Sequence, residues 1–262
     1  MPVCKLAISN IAWSKADDEA VYTAMQQAGF TGLELAPTRI FPEAPYENLS
    51  SAVLFGGYLK HRWGFSVPSM QSIWYGQTGS IFDAARGEQL LDYTAGAFQF
   101  AHSLNCPSLV FGCPKNRMRP AGADDTLAEM FFVQAGNLAA RYNVSLALEA
   151  NAPVYTNYLN TTAQVMELVK RLDNPGLAVN LDLGAMLTQG EKLQSFVDDL
   201  QYVSHVHISE PGLAPIEKRP EHKELALLLG AVGYQGYVSV EMARTDLDTI
   251  RRTLDYVAEV FA

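Results

Sequence analysis

The sequence is short of cysteine, histidine and positive charge, and each shortage removes a class of protein. Three cysteines in 262 residues, Cys4, Cys106 and Cys113, leave an odd number with no C-x-x-C spacing. Neither a disulfide framework nor a cysteine zinc site is indicated, and a reducing compartment fits. Lysine and arginine number 19 against 28 acidic residues, a formal net charge of −9. Such a field repels phosphate backbones, so nucleic acid and anionic membrane surfaces are poor partners. No apolar run reaches the roughly 18 residues of a membrane span. The opening MPVCKLAISN has no apolar stretch followed by a small-residue cleavage site, so the expected location is cytoplasmic and the N-x-S/T matches at Asn48, Asn143 and Asn160 are read as chance. No glycine-rich phosphate fingerprint opens the chain to favour a dinucleotide fold.

What the chain does have is 48% hydrophobic residues, enough for a large core, in a regular alternation of strand-like and helical segments. Strands are expected at 5–9, 32–36, 66–71, 108–112, 144–149, 177–182, 204–208 and 237–241. Helices are expected at 17–28, 49–62, 86–104, 124–142, 161–172, 191–200, 221–230 and 245–261. The last is clearest: Leu247, Ile250, Leu254, Val257 and Phe261 share one face of a 3.6-residue period. Eight β/α units without a Ser/Pro-rich linker predict a single (β/α)8 TIM barrel spanning 1–262. Connections after the strands are the long ones, about 14 residues after 66–71, about 11 after 108–112 and about 12 after 204–208. Barrel enzymes build their sites there.

Side chains alternate along a strand, so parity separates barrel-facing from helix-facing residues. In 144–149, 177–182, 204–208 and 237–241 the branched apolar parity suits the helix-packed outside. That leaves Glu149, Asp182, His207 and Glu241 pointing inward at the tops of four successive strands. Carboxylates gathered in a partly dry site cannot all stay ionised unless a cation compensates. A divalent metal is therefore expected; three carboxylates and one imidazole favour Mn²⁺, with Mg²⁺, Co²⁺ and Zn²⁺ also compatible.

The segments LALEAN, AVNLDLGAM, HVHISE and YVSVEM, in this order, resemble the sugar isomerase and epimerase superfamily that shares the xylose isomerase-like barrel. The resemblance covers the whole chain in its β/α count, while the specific motifs occupy the second half. It implies that Glu149, Asp182, His207 and Glu241 are the metal ligands. The opening GFTGLELAP, with Glu34 ending a strand, is a less specific likeness and marks Glu34 as a substrate-site candidate. One position departs: family epimerases often carry a substrate-contacting His three residues after the metal-binding Asp, where this chain has Ala185. His222, in KRPEHKEL, is the candidate substitute.

Further candidates lie on the long loops. Lys115, Arg117 and Arg119 place three cations within five residues, either as readers of a phosphate or carboxylate or as a solvated basic loop. Trp74 and Tyr75, with Trp13, can stack on a sugar face or simply pack loops down. His61 and His102 fall in helical stretches and Lys5 begins a strand; none is given a site role.

The resemblance implies a metal-dependent sugar or sugar phosphate isomerase or epimerase. Its reaction is proton abstraction next to a carbonyl through an enediolate, with Glu149 and Glu241 carrying the proton. The alternatives are a sugar or inosose dehydratase on the same metal site and a carbohydrate-binding barrel without turnover, which Ala185 favours. A barrel relative that cuts DNA at abasic sites needs several zinc ions, and five histidines and the negative charge argue against it. A small carbohydrate is the expected partner, and the oligomeric state is open, a homo-oligomer included.

Overall fold

Short apolar runs separated by amphipathic helices satisfy their backbone groups by pairing side by side under a helical cover. In the computed structural model, which describes residues 4–261, seven of the expected strands do so. They are β1 (Lys5–Ser9), β2 (Gly32–Glu34), β3 (Ser108–Phe111), β4 (Ser145–Glu149), β5 (Leu177–Asp182), β6 (Val203–Ile208) and β7 (Tyr237–Val240). All pairings are parallel, in the order β2-β1-β7-β6-β5-β4-β3.

The expected strand at 66–71 is different. It lies between the two edge strands and bridges them. The Leu33 and Leu35 amides donate to the Ser66 and Ser69 carbonyls, the Met70 amide donates to Ser108, and Val110 donates to Met70. Pro68 has no N–H and a fixed φ, so no continuous ladder runs through it. The barrel closes through isolated bridges at this seam, with Met70 joining Leu35 to Leu109.

The outer layer comprises α1 (Asp18–Gln27), α2 (Pro37–Ile40), α3 (Leu49–Tyr58), α4 (Ala84–Ser103), α5 (Thr126–Arg141), α6 (Thr162–Leu172), α7 (Leu183–Gln189), α8 (Pro220–Ala231) and α9 (Leu247–Val260). As the period predicts, α9 buries Ile250, Leu254 and Val257, and Asp246 caps it by accepting from the Thr249 amide. The helix expected at 191–200 is a correction. The carboxylate of Asp182 starts α7 directly after β5, Gly190 ends it at φ 67°, and Leu193–Tyr202 is a 3-10 stretch.

One irregularity sets the phase of the sheet. Val179 pairs with Val203, yet Asn180 pairs with His205, so Ser204 is an extra residue in β6. In unbroken register Asp182 would stand beside Val206; the bulge puts it beside His207.

The helical layer sits hard on the sheet at Gly176, just before β5. A Cβ there would lie 1.9 Å from the Gly136 carbonyl oxygen of α5 and 2.7 Å from its carbon. Both atoms are backbone, so α5 itself must move. Gly176→Ala is expected to cost about 3 kcal/mol or more, lowering the melting temperature by roughly 6–12 °C. An unchanged thermal melt would show that α5 shifts freely.

Candidate metal centre

β4 ends in Glu149, β5 ends in Asp182, β6 carries His207 one residue from its end, and Glu241 directly follows β7. The parallel register brings these four strand tops together, and one donor atom from each lies within 4.8 Å of all the others. His207 Nδ1 is 3.3 Å from Glu149 Oε2, 3.3 Å from Glu241 Oε2 and 3.7 Å from Asp182 Oδ2. The His207 side chain is fully buried and the three carboxylate side chains are 10–13% exposed, so the acids keep slight access to solvent at the strand ends.

Such a gathering strains its own ionisation. Burial, followed by the charge of Glu149, pushes the Asp182 carboxyl up to about 7. Burial also raises Glu241. Burial works in the same direction on Glu149, but hydrogen bonds from His207, Asn151 and Asn180 outweigh it and hold that carboxyl below its ordinary value. Burial opposes charge on His207, yet Glu34, Glu241 and Glu149 together hold the imidazole well above its usual range. Three acids crowd round one site that accepts positive charge. A divalent ion bound by three carboxylate oxygens and one neutral imidazole nitrogen fits this donor set.

Neighbouring residues hold the acids in place. Asn180 donates to Glu149 Oε2 at 2.7 Å and Asn151 donates to Oε1 at 2.9 Å. Asp182 divides its oxygens: Oδ1 accepts from the Ala185 amide at 2.6 Å, capping α7, while Oδ2 accepts from the Ser209 hydroxyl at 2.6 Å. Gly184 leaves room for that contact, because a Cβ there would meet Ser209 Oγ at 2.5 Å. Asn180, Asn151, Ser209 and His205 are not among the residues that the sequence marks as candidates. Their signal was available for two of them, since Asn180 and His205 share the inward parity of Asp182 and His207.

Several other candidates have surroundings different from those expected. Glu34, expected at the substrate, is fully buried beneath the cluster and accepts from His207 Nε2 at 2.9 Å. Trp74 is 3% exposed. Its Nε1 donates to Thr94, and the ring packs edge-on to Phe111 and Phe131, so it serves the core rather than the site. Trp13 is likewise buried, donating to Asp18, while Tyr75 is exposed. His222 is buried in α8 with Nδ1 3.0 Å from the Tyr256 hydroxyl of α9. Ala185 leaves the first turn of α7 without an imidazole.

The loop cations do not converge. Lys115 is exposed, Arg119 pairs with Asp125 at 2.9 Å, and Arg117 is fully buried, donating to the Glu149 carbonyl at 2.8 Å. Burial presses the Arg117 guanidinium down to about 10. It buttresses the end of β4 and is not an exposed reader of anions. Arg117→Ala leaves that carbonyl unpaired beside a void and is expected to destabilise the fold by about 3 kcal/mol. Its effect on KM should be the same for a sugar and its phosphate; a penalty confined to the phosphate, with stability unchanged, would return Arg117 to the substrate.

A family model described as xylose isomerase-like TIM barrel matches residues 22–260. The chain belongs to this family. No curated protein sequence matches this xylose isomerase-like barrel. Among solved structures it resembles 3-keto-D-glucoside 4-epimerase YcjR from E. coli, at 18% identity over 98% of this chain and 99% of that one, with a TM-score of 0.78. D-psicose 3-epimerase from Clostridium cellulolyticum H10, solved with D-tagatose, is 17% identical over 97% and 96%, TM-score 0.76. IolI, solved with a zinc atom, is 15% identical over 98% and 94%, TM-score 0.71. At these identities the likeness is one of fold. Among the described residues no helix is long and apolar enough to cross a membrane.

Proposed function

We propose that this xylose isomerase-like barrel is a divalent-metal-dependent sugar epimerase or isomerase that moves a proton on the carbon next to a carbonyl. The observation that carries the reading is the convergence of Glu149, Asp182, His207 and Glu241 within 4.8 Å at the strand ends. The activities of the structural neighbours, epimerases of a keto-glucoside and of psicose, agree with it, as does the zinc in IolI.

The bound ion supplies Lewis-acid stabilisation of the negative charge that develops on the sugar's oxygens. The protein's own residues do the rest. Glu149 and Glu241 enter from β4 and from beyond β7, so their oxygens can approach a substrate carbon from different sides. One removes the proton and the other returns it. Return to the opposite face of the same carbon gives epimerisation, and return to the adjacent carbon gives ketose–aldose isomerisation. Asn180 and Asn151 keep the Glu149 carboxylate aimed and ionised. With Arg117 buried and Arg119 paired, Lys115 is the cation of this loop left exposed, so free sugars and their phosphates are set side by side in the test.

The test joins metal analysis of the purified protein to solvent-deuterium exchange across a panel of ketoses, their phosphates and inososes. Metal-dependent exchange at a carbon next to a carbonyl supports the reading. Loss of water from the exchanging substrate would identify a dehydratase instead. A metal-loaded protein that binds sugars without exchange would be a carbohydrate-binding barrel.

A further inference from the structure

Beneath the four ligands lies a second, entirely buried group: Glu34 of β2, His205 and His207 of β6, and Ser69 of the bridging segment. Three of its hydrogen bonds meet on one atom, and a fourth contact links Ser69 Oγ and His205 Nε2 at 3.0 Å. Glu34 Oε2 accepts from Ser69 Oγ at 2.6 Å and lies 2.8 Å from His205 Nε2 and 2.9 Å from His207 Nε2, while Oε1 has no partner. The two imidazoles stand nearly perpendicular, at 86°, with centroids 5.1 Å apart. A buried carboxylate costs several kcal/mol unless its partners compensate, so three donors trained on a single oxygen call for an explanation beyond packing.

A carboxylate oxygen only accepts, so both Nε2 atoms carry hydrogen. In neutral His207 that leaves Nδ1 with its lone pair free, and Nδ1 is the nitrogen that faces Glu149, Asp182 and Glu241.

We propose that Glu34 is a positioning residue that fixes the tautomer and angle of His207, presenting Nδ1 to the ion, and that His205 and Ser69 serve to hold Glu34. The inference rests on the metal reading above. Glu34 is too deep to touch a substrate, and its effect reaches the chemistry only through His207. In this arrangement the seam of the barrel has a further duty, because Ser69 delivers its hydroxyl from the segment that closes the ring.

The test uses Mn²⁺ alone as probe, titrated into the metal-stripped full-length protein and followed by the resonance of free Mn²⁺. Glu34→Gln removes the charge and His205→Leu removes a donor; each is expected to weaken binding by about 10–100-fold. His205→Gln, whose amide can donate from near the Nε2 position, should restore most of the affinity, a rescue that general loosening of the core would not give. In Zn²⁺-loaded wild-type protein, long-range 1H–15N spectra should place the His207 hydrogen on Nε2. A hydrogen on Nδ1 overturns the proposal without recourse to any variant. Asp182→Asn is the control for the site itself. If it keeps wild-type affinity, the metal reading fails and this inference with it. If it loses affinity while Glu34→Gln and His205→Leu keep theirs, the role given to Glu34 alone is overturned.

Discussion

Glu241→Gln is expected to lower turnover by about 10²–10⁴-fold, the scale of a lost acid–base group, while most of the bound metal stays. Glutamine keeps one oxygen for the ion but cannot accept or release the substrate proton near neutral pH. Position 241 is the cleaner of the two glutamates for this experiment. Glu149 accepts from two amides, Asn180 on one oxygen and Asn151 on the other. A glutamine there has a single acceptor and must face one of those amides with its own NH2. Glu149→Gln should therefore lose turnover to a similar degree and more of its metal as well. If the two proton transfers use different glutamates, one variant will exchange the substrate's carbon proton with solvent without forming product, and the other will do neither. Near-wild-type turnover in both would send the search for the base elsewhere.

Loss of the ion is the expected result of His207→Gln, and a large loss that of Asp182→Asn, both read as metal per chain by elemental analysis after dialysis. His207→Gln removes the Nδ1 nitrogen that faces all three carboxylates, although its amide can still donate to Glu34 from near the Nε2 position. Breaking a buried charged contact by removing one partner costs about 3–5 kcal/mol, so the variant should also melt earlier. Asp182→Asn is gentler on the fold but has one acceptor for two tasks. It can cap α7 or take the Ser209 hydroxyl, and its amide nitrogen cannot bind a cation. Full occupancy in either variant would count against this ligand set.

The four strand-top residues were legible from alternation alone, because a strand's period of two converts sequence order into direction. Trp74, Arg117 and His222 were not. They sit on loops or at a helix start, where no period fixes direction, and each turns inward to a partner 20 to 34 residues away. The position of Glu34 was harder still. Its contact with His207 crosses the barrel between residues 173 apart, and only the closed ring brings them together. Pro68 stood in plain view within 66–71, and its missing N–H is what reduces a strand to a seam.

The pairing of β6 beyond its extra residue makes this stretch sensitive to the number of its residues as well as to their kind. Losing Ser204 would remove only the extra residue and leave His205 beside Asn180 and His207 beside Asp182, but losing Val206 would set His207 beside Leu181, on the helix side and away from the acids. Loops after the strands can gain or lose residues and leave the strand tops where they are. Between His205 and His207 the count itself is under constraint, so insertions and deletions there should be purged even where point changes are tolerated.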